Sequence, residues 1–147
     1  MTMSIPALSS LWSVYPAGPS SLVKSMIGGG VGGAWMVNTC VVRVSYCFNK
    51  CGAPIPKGEP GLSTTYGKGG ARYAFRVTEF KRYLEGRYKR ADVQGSGRGD
   101  VAGKQGVIMF DVDGWNDATG HFDLWNGSEC AGSEYFAKAH AVYLWSC

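Results

Sequence analysis

The chain has 147 residues, 45% hydrophobic and 18% charged, a balance that supports a packed core and excludes a disordered chain. Its net charge of +4 is mild, and the densest basic stretch (Lys81, Arg82, Arg87, Lys89 and Arg90, interrupted by Glu85) has the pattern of a solvated helix face, so no nucleic-acid partner is expected. No apolar run reaches the ~18 residues of a membrane span, so no membrane insertion is expected either.

Residues 1–37 are rich in Ser, Pro and Gly, with apolar patches around Leu11 and Val23. They lack a basic start followed by a continuous apolar block and are not read as a signal peptide. The run Gly28 to Gly33 lacks the Lys-Ser/Thr ending of a phosphate-binding loop and reads as a flexible approach to the next element.

Residues 38–52 carry two patterns. Val42, Val44, Tyr46 and Phe48 alternate with polar residues as in a strand, while Val41, Val44 and Phe48 fall at helical spacing between the capping residue Asn38 and the stop at Gly52 and Pro54. Periodicity alone slightly favours the strand. Residues 53–71 read as loop. Residues 73–89 read as an amphipathic helix with Val77, Phe80, Leu84 and Tyr88 on one stripe, and the glycine-rich 91–106 reads as an exposed loop. The last third reads as β: Val107 to Val112, a turn at Asp113-Gly114, His121 to Trp125, a turn at Asn126-Gly127, and Ala141 to Trp145. No repeat or boundary divides the chain, so residues 1–147 are expected to form one domain.

Five cysteines stand at 40, 47, 51, 130 and 147, an odd number that leaves at least one outside any intrachain pairing. Their spacing relative to His121 and His140 fits no zinc pattern, and neither metal nor organic cofactor is expected. If Asn38 caps a helix, Cys40 lies in the first turn, where unpaired N–H groups and the helix dipole favour a thiolate. The bland alternative is a buried structural cysteine. On a strand, His121, Asp123 and Trp125 share one face, which makes His121 a candidate base with Asp123 as its orienter; the alternative is a half-exposed surface histidine. His140 competes but has no adjacent acid. Asp123, Glu129 and Glu134 are the candidates for the third position, whose task is to hold the imidazole tautomer.

Two segments carry a family resemblance. Asn38-Thr39-Cys40 followed by Arg43, Ser45, Asn49 and Gly52, and Gly120-His121 followed by Leu124-Trp125-Asn126-Gly127, resemble the nucleophile and histidine motifs of the type VI secretion amidase effectors, fourth class. The ending from Tyr135-Phe136 to Leu144-Trp145 is also similar, and the likeness spans most of residues 36–146. It implies an α+β, papain-like NlpC-type fold in which a nucleophile helix packs on an antiparallel sheet. That overrides the slight strand preference for residues 40–49. It also implies cleavage of the γ-D-glutamyl–meso-diaminopimelate bond of peptidoglycan stem peptides, delivery by the type VI secretion machinery into the periplasm of a Gram-negative competitor, and a cognate immunity protein as partner.

The family's Asp after the cysteine equivalent to Cys130 aligns nearest to Gly132, so the resemblance leaves Glu134 and Asp123 equally placed for the third role. Backbone N–H groups near Cys40, its own among them, are the expected oxyanion donors. Cys130 with Cys147, and less well Cys47 with Cys51, are candidate disulfides. Two other functions share these residues: a different Cys–His acyl-transfer enzyme, and a non-catalytic cell-wall binding module that docks through Trp115, Trp125 and Tyr135.

Overall fold

A computed structural model of the chain describes residues 3–112 and 120–147. The expected turn at Asp113-Gly114 and the aromatic Trp115 lie outside these residues. In chain order the elements are α1 (Leu8–Ser13), α2 (Ser20–Ile27), α3 (Cys40–Lys50), β1 (Thr64–Tyr66), β2 (Arg72–Ala74), α4 (Val77–Arg87), β3 (Val93–Gly95), β4 (Gly106–Asp111), β5 (Gly120–Trp125) and β6 (Ala141–Ser146). The last four strands form one antiparallel sheet in the order β3-β6-β4-β5, and β1 and β2 form a separate hairpin.

The sheet is covered on both faces, and the period-2 alternation of its strands sorts the side chains. Val107, Met109, Phe122, Leu124 and Trp145 face the core shared with α3 and α4, whereas Ile108, Phe110, Val142 and Leu144 face a second core closed by Tyr135 and Phe136. At the edge strand β5 the chain turns back: Trp125 bridges Cys130, and the Ala131 N–H donates to the Leu124 carbonyl at 3.0 Å. That return lays residues 130–133 along the edge.

Residues 40–50 are helical because both of their stripes are used. Val41, Val44 and Phe48 are fully buried, with Phe48 edge-on to Phe80 at 5.9 Å and Phe80 edge-on to Phe122 at 5.1 Å. Each such side chain contributes about 1.5–3 kcal/mol. The polar residues that suggested strand alternation hold β2 instead. Ser45 Oγ accepts the Ala74 N–H at 3.1 Å, and Asn49 Nδ2 donates to the Arg72 carbonyl at 2.8 Å. Beyond Cys51 the chain leaves the helix through Gly52 at φ +81°, the left-handed conformation that glycine adopts without penalty.

The same hydrogen bonds shorten the helix expected over 73–89. Residues 72–74 pair with β1, and helix α4 begins only at Val77. Two loops also contain strands, β1 within 53–71 and β3 within 91–106, the latter paired to β6. Gly28 to Gly33 is not a flexible approach. Gly29–Gly32 forms a 3-10 turn, and Gly29, at φ +58°, packs so closely on β1 that a Cβ there would lie 2.8 Å from the Tyr66 carbonyl oxygen.

All five cysteines are free thiols. The register explains why Cys130 does not meet Cys147. Cys130 bridges Trp125, Trp125 pairs with Gly106, and Gly106 pairs with Ser146. Three strand spacings, roughly 14 Å, therefore separate the two segments, beyond the ~7 Å Cα limit of a disulfide.

Candidate active site

Cys40 is the first residue of α3 and is 4% exposed. Thr39, not Asn38, occupies the cap position, and the Asn38 side chain reaches past it so that Oδ1 accepts the Cys40 N–H at 3.0 Å. The sulfur thus sits at the positive end of an 11-residue helix. The Cys40 N–H expected to serve an oxyanion is engaged by Asn38, so an incoming carbonyl oxygen must replace that acceptor.

His121, on β5, lies across from Cys40. Its Nε2–H donates to Asp123 Oδ2 at 2.8 Å, which leaves Nδ1 free of that bond, and the ring shares a cleft with the Cys40 side chain. The Tyr135 ring packs on the imidazole with centroids 4.6 Å apart. Burial opposes charging of the ring, but hydrogen bonds and charge from Asp123 and the Cys40 sulfur outweigh it and raise the pKa of His121 to about 9.

Asp123 is fully buried, so its charge must be compensated in place. Besides His121, Oδ1 accepts the N–H groups of Leu124 and Gly132, each at 2.8 Å, and Oδ2 accepts that of Ser133 at 2.9 Å. The Gly132 and Ser133 donors come from the segment laid along the edge of β5. Gly132 is the position where the family's Asp was expected. It supplies an N–H instead, and a Cβ there would lie 2.5 Å from Asp123 Oδ2 and 2.6 Å from the Tyr15 hydroxyl.

Of the third-position candidates, only Asp123 is brought to the imidazole. Glu134 turns outward to pair with Arg98 Nη2, and Glu129 Oε1 accepts from Asn126 Nδ2 at 3.4 Å. His140, the competing histidine, is half-exposed and pairs with Asp111 at 3.4 Å.

Cys40 and His121 open into a cleft of about 470 Å³ whose walls include Tyr15, Asn38, Arg43 and Tyr135. Sequence reasoning gave Tyr15 and Arg43 no place in the site. Tyr15 arrives from the end of α1, which no local pattern links to Cys40. Arg43 carried a readable signal, since on a helix it stands three residues from Cys40 and shares its face.

Residues 36–145 match the family described as type VI secretion system (T6SS), amidase effector protein 4, Tae4. The effector Tae4 from Enterobacter cloacae is similar at a TM-score of 0.90 and 32% identity, over 99% of each chain. Tae4 from Salmonella typhimurium, in complex with the immunity protein Tai4 from Enterobacter cloacae, is similar at 0.90 and 29% identity, over 96% of this chain and 98% of that one. The Tae4–Tai4 effector–immunity complex from Enterobacter cloacae gives 0.86 and 31%, again over 96% and 98%. No curated protein sequence matches the chain significantly. The fold is the papain-like, NlpC-type fold of these effectors. With its family profile spanning both the cysteine and the histidine segments, and its architecture shared from end to end, the chain belongs to the Tae4 family of type VI secretion amidase effectors.

Proposed function

We propose that Cys40, His121 and Asp123 form the catalytic unit of a cysteine amidase that hydrolyses the amide between γ-D-glutamate and meso-diaminopimelate in peptidoglycan stem peptides. The observation that carries this reading is the imidazole held by the buried Asp123 carboxylate in the cleft into which Cys40 opens. Asp123 holds the ring through its Nε2–H, which turns Nδ1 toward the thiol.

His121 holds the thiol proton while Cys40 Sγ bonds to the γ-carbonyl carbon. The C–N bond then breaks, and the imidazolium gives its proton to the departing diaminopimelate amine. Water, deprotonated by His121, attacks the thioester, releasing the glutamate carboxyl and restoring the sulfur. The helix N-terminus and the Cys40 N–H, once Asn38 Oδ1 is displaced, favour the negative charge that develops on the carbonyl oxygen.

The chain acts as one domain over residues 1–147, in the periplasm of a Gram-negative target cell, where this substrate lies. The producer is protected by a cognate immunity protein of the Tai4 kind seen with the relatives. Mass spectrometry of muropeptides from purified sacculi tests the reading. The wild type is expected to generate a free γ-D-glutamyl carboxyl and a free diaminopimelate amine, and Cys40→Ala neither. Transfer to an added amine would instead identify another acyl-transfer enzyme. Lysis retained by Cys40→Ala would identify a binding module.

A further inference from the structure

Arg43 has an electrostatic situation that the hydrolytic steps do not use. It is half-buried in the cleft wall. Its Nε donates to Thr39 Oγ1 at 3.2 Å, Nη1 to the Pro16 carbonyl at 2.9 Å and Nη2 to Ser20 Oγ at 3.5 Å. All three acceptors are neutral. Among the described residues, Arg43 belongs to none of the ion pairs and no Asp or Glu lines the cleft. A half-buried guanidinium normally meets an anion, since an unpaired charge taken partly out of water is costly. Three acceptors leave two of its five N–H groups undirected, one on each terminal nitrogen, and these suit the two oxygens of a carboxylate.

We propose that Arg43 forms a carboxylate subsite that reads the free α-carboxylate of the γ-linked glutamyl residue. The inference rests on the amidase reading above and names what that site selects. A γ-linked glutamate keeps its α-carboxylate, separated from the scissile carbonyl carbon by three carbons. Residues three apart on a helix hold their Cβ atoms about 5–6 Å apart on one face. With the γ-carbonyl at Cys40 Sγ, the α-carboxylate therefore falls toward Arg43. An α-amidated glutamyl residue would present an NH₂ group to the guanidinium donors and lose the charge. The fixed contacts to Pro16, Thr39 and Ser20 hold the guanidinium in place before substrate arrives.

The test compares two soluble stem tetrapeptides that differ only in an α-carboxylate or α-carboxamide on the γ-linked glutamyl residue. Wild-type kcat/KM is expected to favour the free acid by about 10- to 100-fold, the scale of one charge-assisted hydrogen-bonded contact. Arg43→Gln is expected to bring the ratio near one by losing activity on the free acid alone, and Arg43→Lys to retain part of it. Equal cleavage of both peptides by the wild type overturns the subsite without any variant, so a folding defect cannot mask the answer. A ratio unchanged in Arg43→Gln also overturns it. Cleavage of neither peptide by the wild type overturns the amidase reading, and the subsite with it.

Discussion

Asp123 Oδ2 lies 2.8 Å from His121 Nε2, two residues along one strand, with the carboxylate wholly buried beneath a largely buried ring. Residues i and i+2 of a strand share a face, so β5 sets this pair by its own geometry. The segment 130–133, folded back along the edge of β5, fixes the carboxylate through the Gly132 and Ser133 N–H groups.

Replacing that carboxylate should separate its two effects. Asp123→Asn is expected to bring the His121 pKa down from about 9 and to reduce kcat on the order of 10²- to 10⁴-fold through loss of the correct tautomer. Asp123→Ala should in addition destabilise the fold by about 2–5 kcal/mol, because the Leu124, Gly132 and Ser133 N–H groups lose their acceptor. An NMR titration of the His121 ring and urea unfolding measure the two separately.

The elevated pKa also makes stability depend on pH. His121 ordinarily titrates at 6.5 and in the folded chain at about 9, so folding favours the protonated ring. The stabilisation is fully present below pH 6.5 and is lost as pH rises to 9. It amounts to about 3 kcal/mol for a ring this buried. Urea unfolding of wild type and His121→Gln at pH 6 and pH 9.5 should show the difference between them shrinking by about that amount.

Gly132 tests the fixing of Asp123 without touching a side chain. A methyl group there meets Asp123 Oδ2 and the Tyr15 hydroxyl inside contact distance. Gly132→Ala should move the carboxylate off the imidazole and lower kcat by about tenfold to a hundredfold, the effect of a displacement near 1 Å. Steady-state kinetics should show kcat falling more than KM rises, with circular dichroism unchanged.

Glu134 supplies the converse. Its pairing with Arg98 is on the surface, where such pairs contribute about 0–1 kcal/mol. Glu134→Gln should leave kcat within about twofold of wild type and barely move the unfolding midpoint, whereas a third-residue role would cost orders of magnitude.

Much of the fold could be read from the residues. Strands β4, β5 and β6 showed as apolar or alternating runs, and the stripe Val77-Phe80-Leu84 marked α4. What the pattern could not decide was made by distant partners. Ser45 and Asn49 look like the polar half of a strand until β2 is present to accept and donate to them. Residues 73–74 suit a helix until the same two side chains hold them extended. Cys40 and His121 stood out by position and resemblance, yet the choice between Asp123 and Glu134 was invisible. It depends on a loop returning along a strand edge and on Arg98, 36 residues before Glu134. Arg43 was in view as a motif residue, but its lack of an acidic partner among the described residues is a property of the folded cleft.

The central claim is that Cys40 is the nucleophile, and alkylation of the native chain tests it most directly. Burial pushes the other thiols up: Cys47 to about 12, Cys147 to about 11, and Cys51 and Cys130 also above the usual range. All four therefore stay protonated and slow at pH 7. Iodoacetamide added in substoichiometric steps, with peptide mapping and stem-peptide hydrolysis measured on the same samples, should show modification confined to Cys40 and activity falling in proportion to it. Hydrolysis that persists when Cys40 is fully alkylated would contradict the account.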